Sequence, residues 1–182
     1  MSDPIYNAFL ARQLEEGQRL AASSDLFSLI TPEPVSGQSA AHFLLEFRCK
    51  GLARQAGRVV ENSLWHIGVF FPENYLRTAV KVWEVLSYWG PAPEPWHPNI
   101  GIGAPSLICM HLTPGASLVE ITLGLYDLLT WNLFATGDEG LNHAAAQWSR
   151  HQDPKRFPVD RRPLKRRTVT LDVQPLTTGG QP

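Results

Sequence analysis

The sequence has little cysteine, no long apolar run and almost no excess of charge. Only two cysteines occur among 182 residues, too few for a disulfide framework, and free thiols fit a reducing compartment. No apolar run approaches the roughly 20 residues that a membrane-spanning helix needs, and the polar residues 1–4 do not resemble an export signal. A formal net charge of −1 excludes a broadly basic nucleic-acid binder. We therefore expect a soluble, cytoplasmic protein with no membrane association.

Lysine is also scarce, and the basic residues are unevenly placed. Four of the 16 basic residues are lysines, and eight of the 16 fall within residues 150–167. The tail is therefore basic and the body acidic. Eight cations can bind an acidic protein surface as well as a nucleic acid, and Phe157 is the only aromatic residue in this tail. We favour a protein partner and no nucleic acid.

The spacing of apolar residues predicts an α+β domain. Asp3 and Pro4 are typical of a helix start, and an apolar stripe with helical spacing follows. Four strands are predicted at 26–30, 41–50, 63–71 and 79–87, with a turn region at 51–57. Short connections favour an antiparallel meander. A proline-rich irregular segment follows, then a buried helix at 118–133 and a short helix at 143–150 that Asn142 caps.

These elements divide the chain into two parts. Residues 1–153 form the predicted domain, in which helices pack on one face of the sheet. Residues 154–182 form a Pro/Arg-rich extension, and we expect disorder beyond Pro175.

Cys109 is the candidate nucleophile, because it lies in the irregular segment between the predicted sheet and the apolar helix. A thiolate is a strong nucleophile and a good leaving group, which suits a group that accepts an acyl chain and releases it again. Asn99 offers an amide donor ten residues upstream. One such donor to an oxyanion is typically worth about 100–1,000-fold in rate. Two other interpretations stay open, a buried structural thiol and a turn asparagine. Cys49, on the apolar face of a strand, is a predicted core residue.

Several motifs together resemble the ubiquitin-conjugating enzymes, over about residues 42–148. They are His97-Pro98-Asn99, Ile108-Cys109, the strand ending Phe71-Pro72, and Leu141-Asn142 with Ala145-Ala146, combined with the predicted meander and helices. The resemblance implies the fold of that family. It also implies that Cys109 carries a ubiquitin-like protein as a thioester and that Asn99 stabilises the oxyanion. His97 would hold the loop, and Asp138 and Glu139 would position or deprotonate the incoming lysine.

The resemblance implies partners but no cofactor. An activating enzyme would deliver the ubiquitin-like protein by docking on the N-terminal helix, where Arg12 and Arg19 are candidate contacts, and a protein substrate would receive it. The spacing from Asn99 to Cys109 is about two residues longer than the family's usual spacing, and Met110-His111 replaces the usual Leu-Asp. These departures indicate a divergent, bacterial member. Such relatives are encoded in operons for ubiquitin-like conjugation, several of which serve antiphage defence.

Other interpretations of the same residues remain. A binding module of this fold would leave Cys109 inert. A cysteine hydrolase would need His97 or His111 as a base and an acid to orient it. A zinc site usually takes four ligands with recognisable pairings, and no pair of closely spaced cysteines occurs, so we expect no metal.

Overall fold

The computed structural model describes residues 3–31, 40–91, 94–103, 106–135 and 140–166, and within them the chain is a mixed α+β structure. The helices are α1 (Pro4–Ala22), α2 (Val82–Val85), α3 (Leu118–Leu129) and α4 (His143–Arg150). The strands are β1 (Phe27–Ile30), β2 (His42–Phe47), β3 (Gly51–Gln55), β4 (Arg58–Asn62), β5 (Trp65–Phe70) and β6 (Leu86–Pro91). No helix in the described residues is both long and apolar enough to cross a membrane. The predicted disorder beyond Pro175 lies outside the described residues.

Helix α1 begins where the sequence predicts. The Asp3 carboxylate accepts the amide N–H of Ile5 at 2.9 Å, and Pro4 occupies the first turn. Its buried face includes a polar residue, Gln13, which the apolar pattern does not predict. Gln13 is satisfied because its Oε1 accepts the N–H of Leu118, the first residue of α3, at 2.7 Å. This bond ties the middle of α1 to the start of α3.

The main sheet has the order β1-β2-β5-β6, with every neighbouring pair antiparallel. The predicted alternation in β2 is confirmed, since Phe43, Leu45 and Phe47 are buried and the intervening residues are partly exposed. Helix α3 supplies the other side of the core through a stripe of Leu118, Ile121, Leu125, Leu128 and Leu129. The predicted meander and the buried helix are therefore confirmed.

The predicted turn region at 51–57 is wrong, because it contains most of a separate hairpin formed by β3 and β4. The turn residues Ala56 and Gly57 both have positive φ, 48° and 76°, as a tight two-residue hairpin turn requires. The hairpin is fixed by long-range pairing, because the N–H of Trp96 donates to the Leu52 carbonyl at 2.8 Å. It therefore braces the segment that leads to His97.

Two predicted boundaries also need correction. The fourth strand was expected at 79–87, whereas residues 82–85 form α2 and the strand, β6, runs over Leu86–Pro91. The sequence resembles a strand here because valine and tryptophan, which make up most of α2, are common in strands. In the structure Val85 is buried and Trp83 is exposed. Helix α3 ends at Leu129 rather than at residue 133, because Trp131 adopts a left-handed conformation with φ 62°.

Residues 154–166, which the sequence assigns to the extension, pack against the body of the domain. Asp160 is only 5% exposed, and its carboxylate accepts the N–H of Lys50 at 2.8 Å and the Arg162 guanidinium at 2.6 Å. Leu164 is buried in the main core, and the Phe157 ring stacks on Trp131 with centroids 4.9 Å apart. This segment therefore contributes to the core.

Candidate active site

Asn99 and Cys109 lie opposite each other in a short antiparallel pairing outside the main sheet. The Cys109 N–H donates to the Asn99 carbonyl at 2.7 Å, and the Gly101 N–H donates to the Leu107 carbonyl at 2.8 Å. Between them, Ile100 pairs with Ile108. The longer spacing between Asn99 and Cys109 does not separate them, because Gly101 and Leu107 are also joined by a backbone hydrogen bond.

The alternation of side chains along this pairing decides which groups face outward. Ile100 and Ile108 are buried in the main core. Side chains next to one another along a paired segment point to opposite faces, so the bridge of Ile100 with Ile108 sets Asn99, which is half-buried, and Cys109, which is exposed, on the other face. Opposed residues on one face have Cβ atoms about 4.5–5.5 Å apart. An acyl group on the Cys109 sulfur would therefore lie beside the Asn99 side chain.

The Asn99 amide is oriented by a residue far along the chain. Its Oδ1 accepts the N–H of Ala135 at 2.9 Å. With the oxygen used in this way, the Nδ2 group is left as the donor, and it makes no hydrogen bond to another of the described residues. The side chain therefore has a bound acceptor and an available donor, as an oxyanion-stabilising amide requires.

His97 holds the turn that precedes Asn99. Its Nδ1 accepts the N–H of Asn99 at 3.0 Å, and its ring packs edge-on against Trp131 with centroids 4.8 Å apart. Burial, only partly opposed by the Leu133 backbone, lowers the pKa of His97 to about 3. The ring is therefore neutral at physiological pH and serves the loop as an acceptor.

The other side of this turn is fixed by the segment before α4. The Pro98 carbonyl accepts the N–H of Asn142 at 2.9 Å, and the Asn142 side chain caps α4 through the N–H of Ala145. Gly140 packs so closely that a Cβ there would lie 2.9 Å from the Pro98 oxygen. The Leu141-Asn142 motif thus has a structural role, which is to anchor the loop of Asn99.

Exposed apolar side chains lie on the same segments as the candidate site. They are Ile102, Leu107, Leu133 and Leu141, each more than 40% exposed. Leu107 precedes Cys109 by two residues, and Leu133 precedes Ala135 by two. Contiguous exposed apolar side chains often mark a binding surface for another protein. The apolar periodicity did not predict this exposed set.

The two cysteines have opposite environments. Cys49 is buried, and burial, reinforced by the charge of Asp160, raises the pKa of its thiol to about 12. Its predicted role as a core residue is confirmed. Cys109 is exposed in the outer face of the pairing. Only Cys109 is therefore placed to react with a large acyl donor.

We expect iodoacetamide at pH 8 to alkylate Cys109 and leave Cys49 unmodified in the folded protein. The reason is that the Cys49 thiol is both inaccessible and almost fully protonated at that pH. Mass spectrometry of tryptic peptides measures the two sites separately. Modification of both cysteines in guanidinium chloride is the control, and equal labelling rates in the native state would contradict the assigned burial.

The structure bears on two of the alternative interpretations, the cysteine hydrolase and the metal site. For a hydrolase, His97 is a poor base because its ring is buried, neutral and bonded to Asn99, whereas His111 is exposed. Among the described residues, no group of three or more histidines, cysteines or carboxylates could hold a metal ion. Asp138 and Glu139 lie outside the described residues. The flanking residues Ala135 and Gly140 contact Asn99 and Pro98, respectively.

The candidate docking residues Arg12 and Arg19 lie on the exposed side of α1. Arg12 pairs with Glu16 at 2.8 Å, and Arg19 pairs with Glu15. Arg12 also lines a surface groove of about 540 Å³ whose other walls include Leu76, Val119 and Glu120. Arg19 lies about two helical turns beyond Arg12 on the same face of α1 and does not line this groove.

Comparisons of the chain with models of known protein families, with curated proteins and with solved structures found no match.

Proposed function

We propose that this protein is a conjugating enzyme for a ubiquitin-like protein, with the ubiquitin-conjugating-enzyme fold. The observation that carries the proposal is the direct pairing of Asn99 with Cys109 on an outward face. The order of N-terminal helix, antiparallel meander and buried helix supports the fold. The His97-Pro98-Asn99 and Ile108-Cys109 motifs also support the proposal, because they resemble those of the ubiquitin-conjugating enzymes.

In the first step, Cys109 accepts the ubiquitin-like protein from an activating enzyme. The Cys109 thiolate attacks the thioester carbonyl on that enzyme, a new C–S bond forms, and the enzyme's own thiolate leaves. The two bonds are of similar energy, so this exchange needs no cofactor here; ATP is consumed earlier, by the activating enzyme. Docking through α1 at Arg12 and Arg19 would bring the two proteins together.

In the second step, a substrate amine attacks the thioester on Cys109. The carbonyl oxygen becomes an oxyanion beside Asn99, whose Nδ2 donates a hydrogen bond to it. The tetrahedral intermediate then collapses, the Cys109 thiolate leaves, and the amine proton passes to a base. Asp138 and Glu139 are the proposed acceptors or positioning groups, because a lysine of pKa about 10.4 is almost fully protonated near neutral pH.

His97 has a positioning role in this scheme. Its neutral ring accepts the Asn99 N–H and holds the backbone at the turn. The pKa of about 3 means that this bond does not change between pH 5 and 8.

The setting that the resemblance implies is the bacterial cytoplasm, where such an enzyme would act with a ubiquitin-like protein, an activating enzyme and a protein substrate in antiviral defence.

The proposal predicts a thioester on Cys109 and on no other residue. A synthetic peptide thioester ending in two glycines should transfer its acyl group to the purified protein, giving an adduct that dithiothreitol cleaves. Cys109→Ala should abolish the adduct, and Cys109→Ser should give a thiol-resistant ester with the natural partners. Intact-mass spectrometry before and after reduction measures each product.

Cys49→Ala is the matched control, and it should retain the adduct because Cys49 is buried in the core. The same assay with the ubiquitin-like and activating proteins encoded beside the gene, plus ATP, tests the full reaction. If Cys109 accepts neither the peptide nor the natural partner, the transferase proposal fails and a binding module with an inert Cys109 takes its place.

A further inference from the structure

A second groove lies between the β3–β4 hairpin and α4, and arginines dominate it. Its volume is about 450 Å³, and its walls include Arg54, Arg58, Val59, Trp96, Trp148 and Arg156. None of these residues belongs to the pairing of Asn99 with Cys109. The groove combines the hairpin, which the sequence did not predict, with the basic segment that follows α4.

Two of the arginines are held over tryptophan rings. The Arg54 guanidinium lies 5.4 Å from the centroid of Trp96, and that of Arg156 lies 5.0 Å from the centroid of Trp148. Arg156 is further oriented by a hydrogen bond of 2.9 Å to the Gln152 side chain. Stacking limits the motion of the long side chains, so less entropy is lost when a ligand binds.

The groove has more positive than negative charge. One carboxylate, Glu94, pairs with Arg54 of the groove at 3.4 Å. Arg58 and Arg156 form no ion pair with any of the described residues, although both are exposed at the groove. By contrast, Arg162 and Arg166 in the same basic tail are paired with Asp160 and Asp25. Within the described residues, the tail therefore contains arginines that pair with a carboxylate and arginines that do not.

Further exposed cations lie beyond the groove. Lys155 and Arg161 are exposed next to Arg156, and the Arg161 guanidinium donates to the Lys155 carbonyl at 2.8 Å. A ligand with several negative groups along its length would therefore meet a row of cations. Paired arginine–carboxylate contacts of this kind are stronger than neutral hydrogen bonds.

We propose that this groove binds an acidic segment of a partner protein. A protein is favoured over a single-stranded nucleic acid because neither tryptophan of this groove offers an open face for base stacking, which supplies much of the affinity in such complexes. Trp96 is 5% exposed, and Arg156 covers the ring of Trp148. The site is separate from Cys109 and does not depend on thioester chemistry.

The test uses the full-length protein and a fluorescein-labelled oligoglutamate peptide at low salt, with fluorescence anisotropy as the readout. The double variant Arg58→Glu/Arg156→Glu should weaken binding about tenfold or more, because two contacts become repulsive. The matched control is Arg77→Glu/Lys81→Glu, which makes the same change in net charge at exposed residues outside the groove and should leave the affinity unchanged.

A single-stranded oligonucleotide of the same charge is the competing probe. The proposal is supported if the peptide binds the wild type more tightly than the oligonucleotide and only the groove variant loses it. Tighter binding of the oligonucleotide, equal losses in both double variants, or no binding of the peptide would each overturn it. Loss of the Cys109 adduct in the separate assay would not affect this result.

Discussion

Replacing Asn99 with alanine is expected to slow transfer from Cys109 to a free amine by about 100-fold or more. Loading of Cys109 should slow less, because a thiolate is a stronger nucleophile toward a thioester than an amine is, so its attack needs less stabilisation of the oxyanion. The physical reason is that the Nδ2 donor contacts the oxyanion and not the starting thioester. The measurement is single-turnover discharge of the preformed adduct to lysine, followed by intact-mass spectrometry.

Asn99→Asp separates a catalytic role from a structural one. Aspartate keeps an oxygen that can accept the Ala135 N–H, so it preserves the bond that fixes the loop. It lacks the amide donor and carries a charge that repels an oxyanion. We therefore expect discharge as slow as in Asn99→Ala. If Asn99→Asp discharges at the wild-type rate, Asn99 serves only to hold Ala135 and the proposed donor role is wrong.

Replacing Asp160 with alanine is expected to lower the free energy of unfolding by about 2–3 kcal/mol. The substitution leaves the Lys50 N–H without its acceptor and removes the partner of the Arg162 guanidinium. Because Arg162 is half exposed, water can replace part of its lost bond, which limits the effect. Urea titration followed by tryptophan fluorescence measures the difference between the two proteins.

Asp25→Ala is the matched control, because it removes another carboxylate that pairs with the same tail segment. The Asp25 side chain is 72% exposed and lies 3.5 Å from Arg166, so its loss should cost less than about 1 kcal/mol. If the two variants lose the same free energy of unfolding, Asp160 does not hold residues 154–166 against the domain as described.

The stability difference should also depend on pH in a stated direction. Burial alone would raise the pKa of Asp160, but the Arg162 side chain and the backbone N–H groups of Lys50 and Arg162 lower it to about 2. The unfolded chain has a pKa near 4 at this residue. The contribution of Asp160 is therefore complete above about pH 4 and is lost as the pH falls toward 2. Persistence of the full difference at pH 2 would be inconsistent with this pKa.

Local chemistry made parts of the fold predictable. Asp3 and Pro4 define the start of α1 because their effect on the first turn needs no other part of the chain. The alternation in β2 identifies its buried face for the same reason. The β3–β4 hairpin was missed because it depends on pairing with the segment before Trp96, which is distant in sequence. The fourth strand was misplaced because valines and tryptophan are common to α2 and to strands.

The candidate site was likewise predictable only in part from the sequence. Residue types and motifs pointed to Cys109 and Asn99, but the sequence did not show that their backbones would pair directly. It also gave no signal that Ala135 would hold the amide oxygen of Asn99, or that Gly140 would pack on Pro98. These contacts join segments more than 35 residues apart, and only packing of α3 and the following loop against the sheet creates them.

The sequence by itself determined the helix start, the buried faces of the central strands and the identity of the thiol and amide that carry the proposed chemistry. These follow from side-chain type and short-range periodicity. Only the tertiary structure decided which thiol is exposed, how the Asn99 amide is oriented and which arginines of the tail remain unpaired. Those properties depend on burial and on hydrogen bonds between distant segments, and these exist only once the chain has folded.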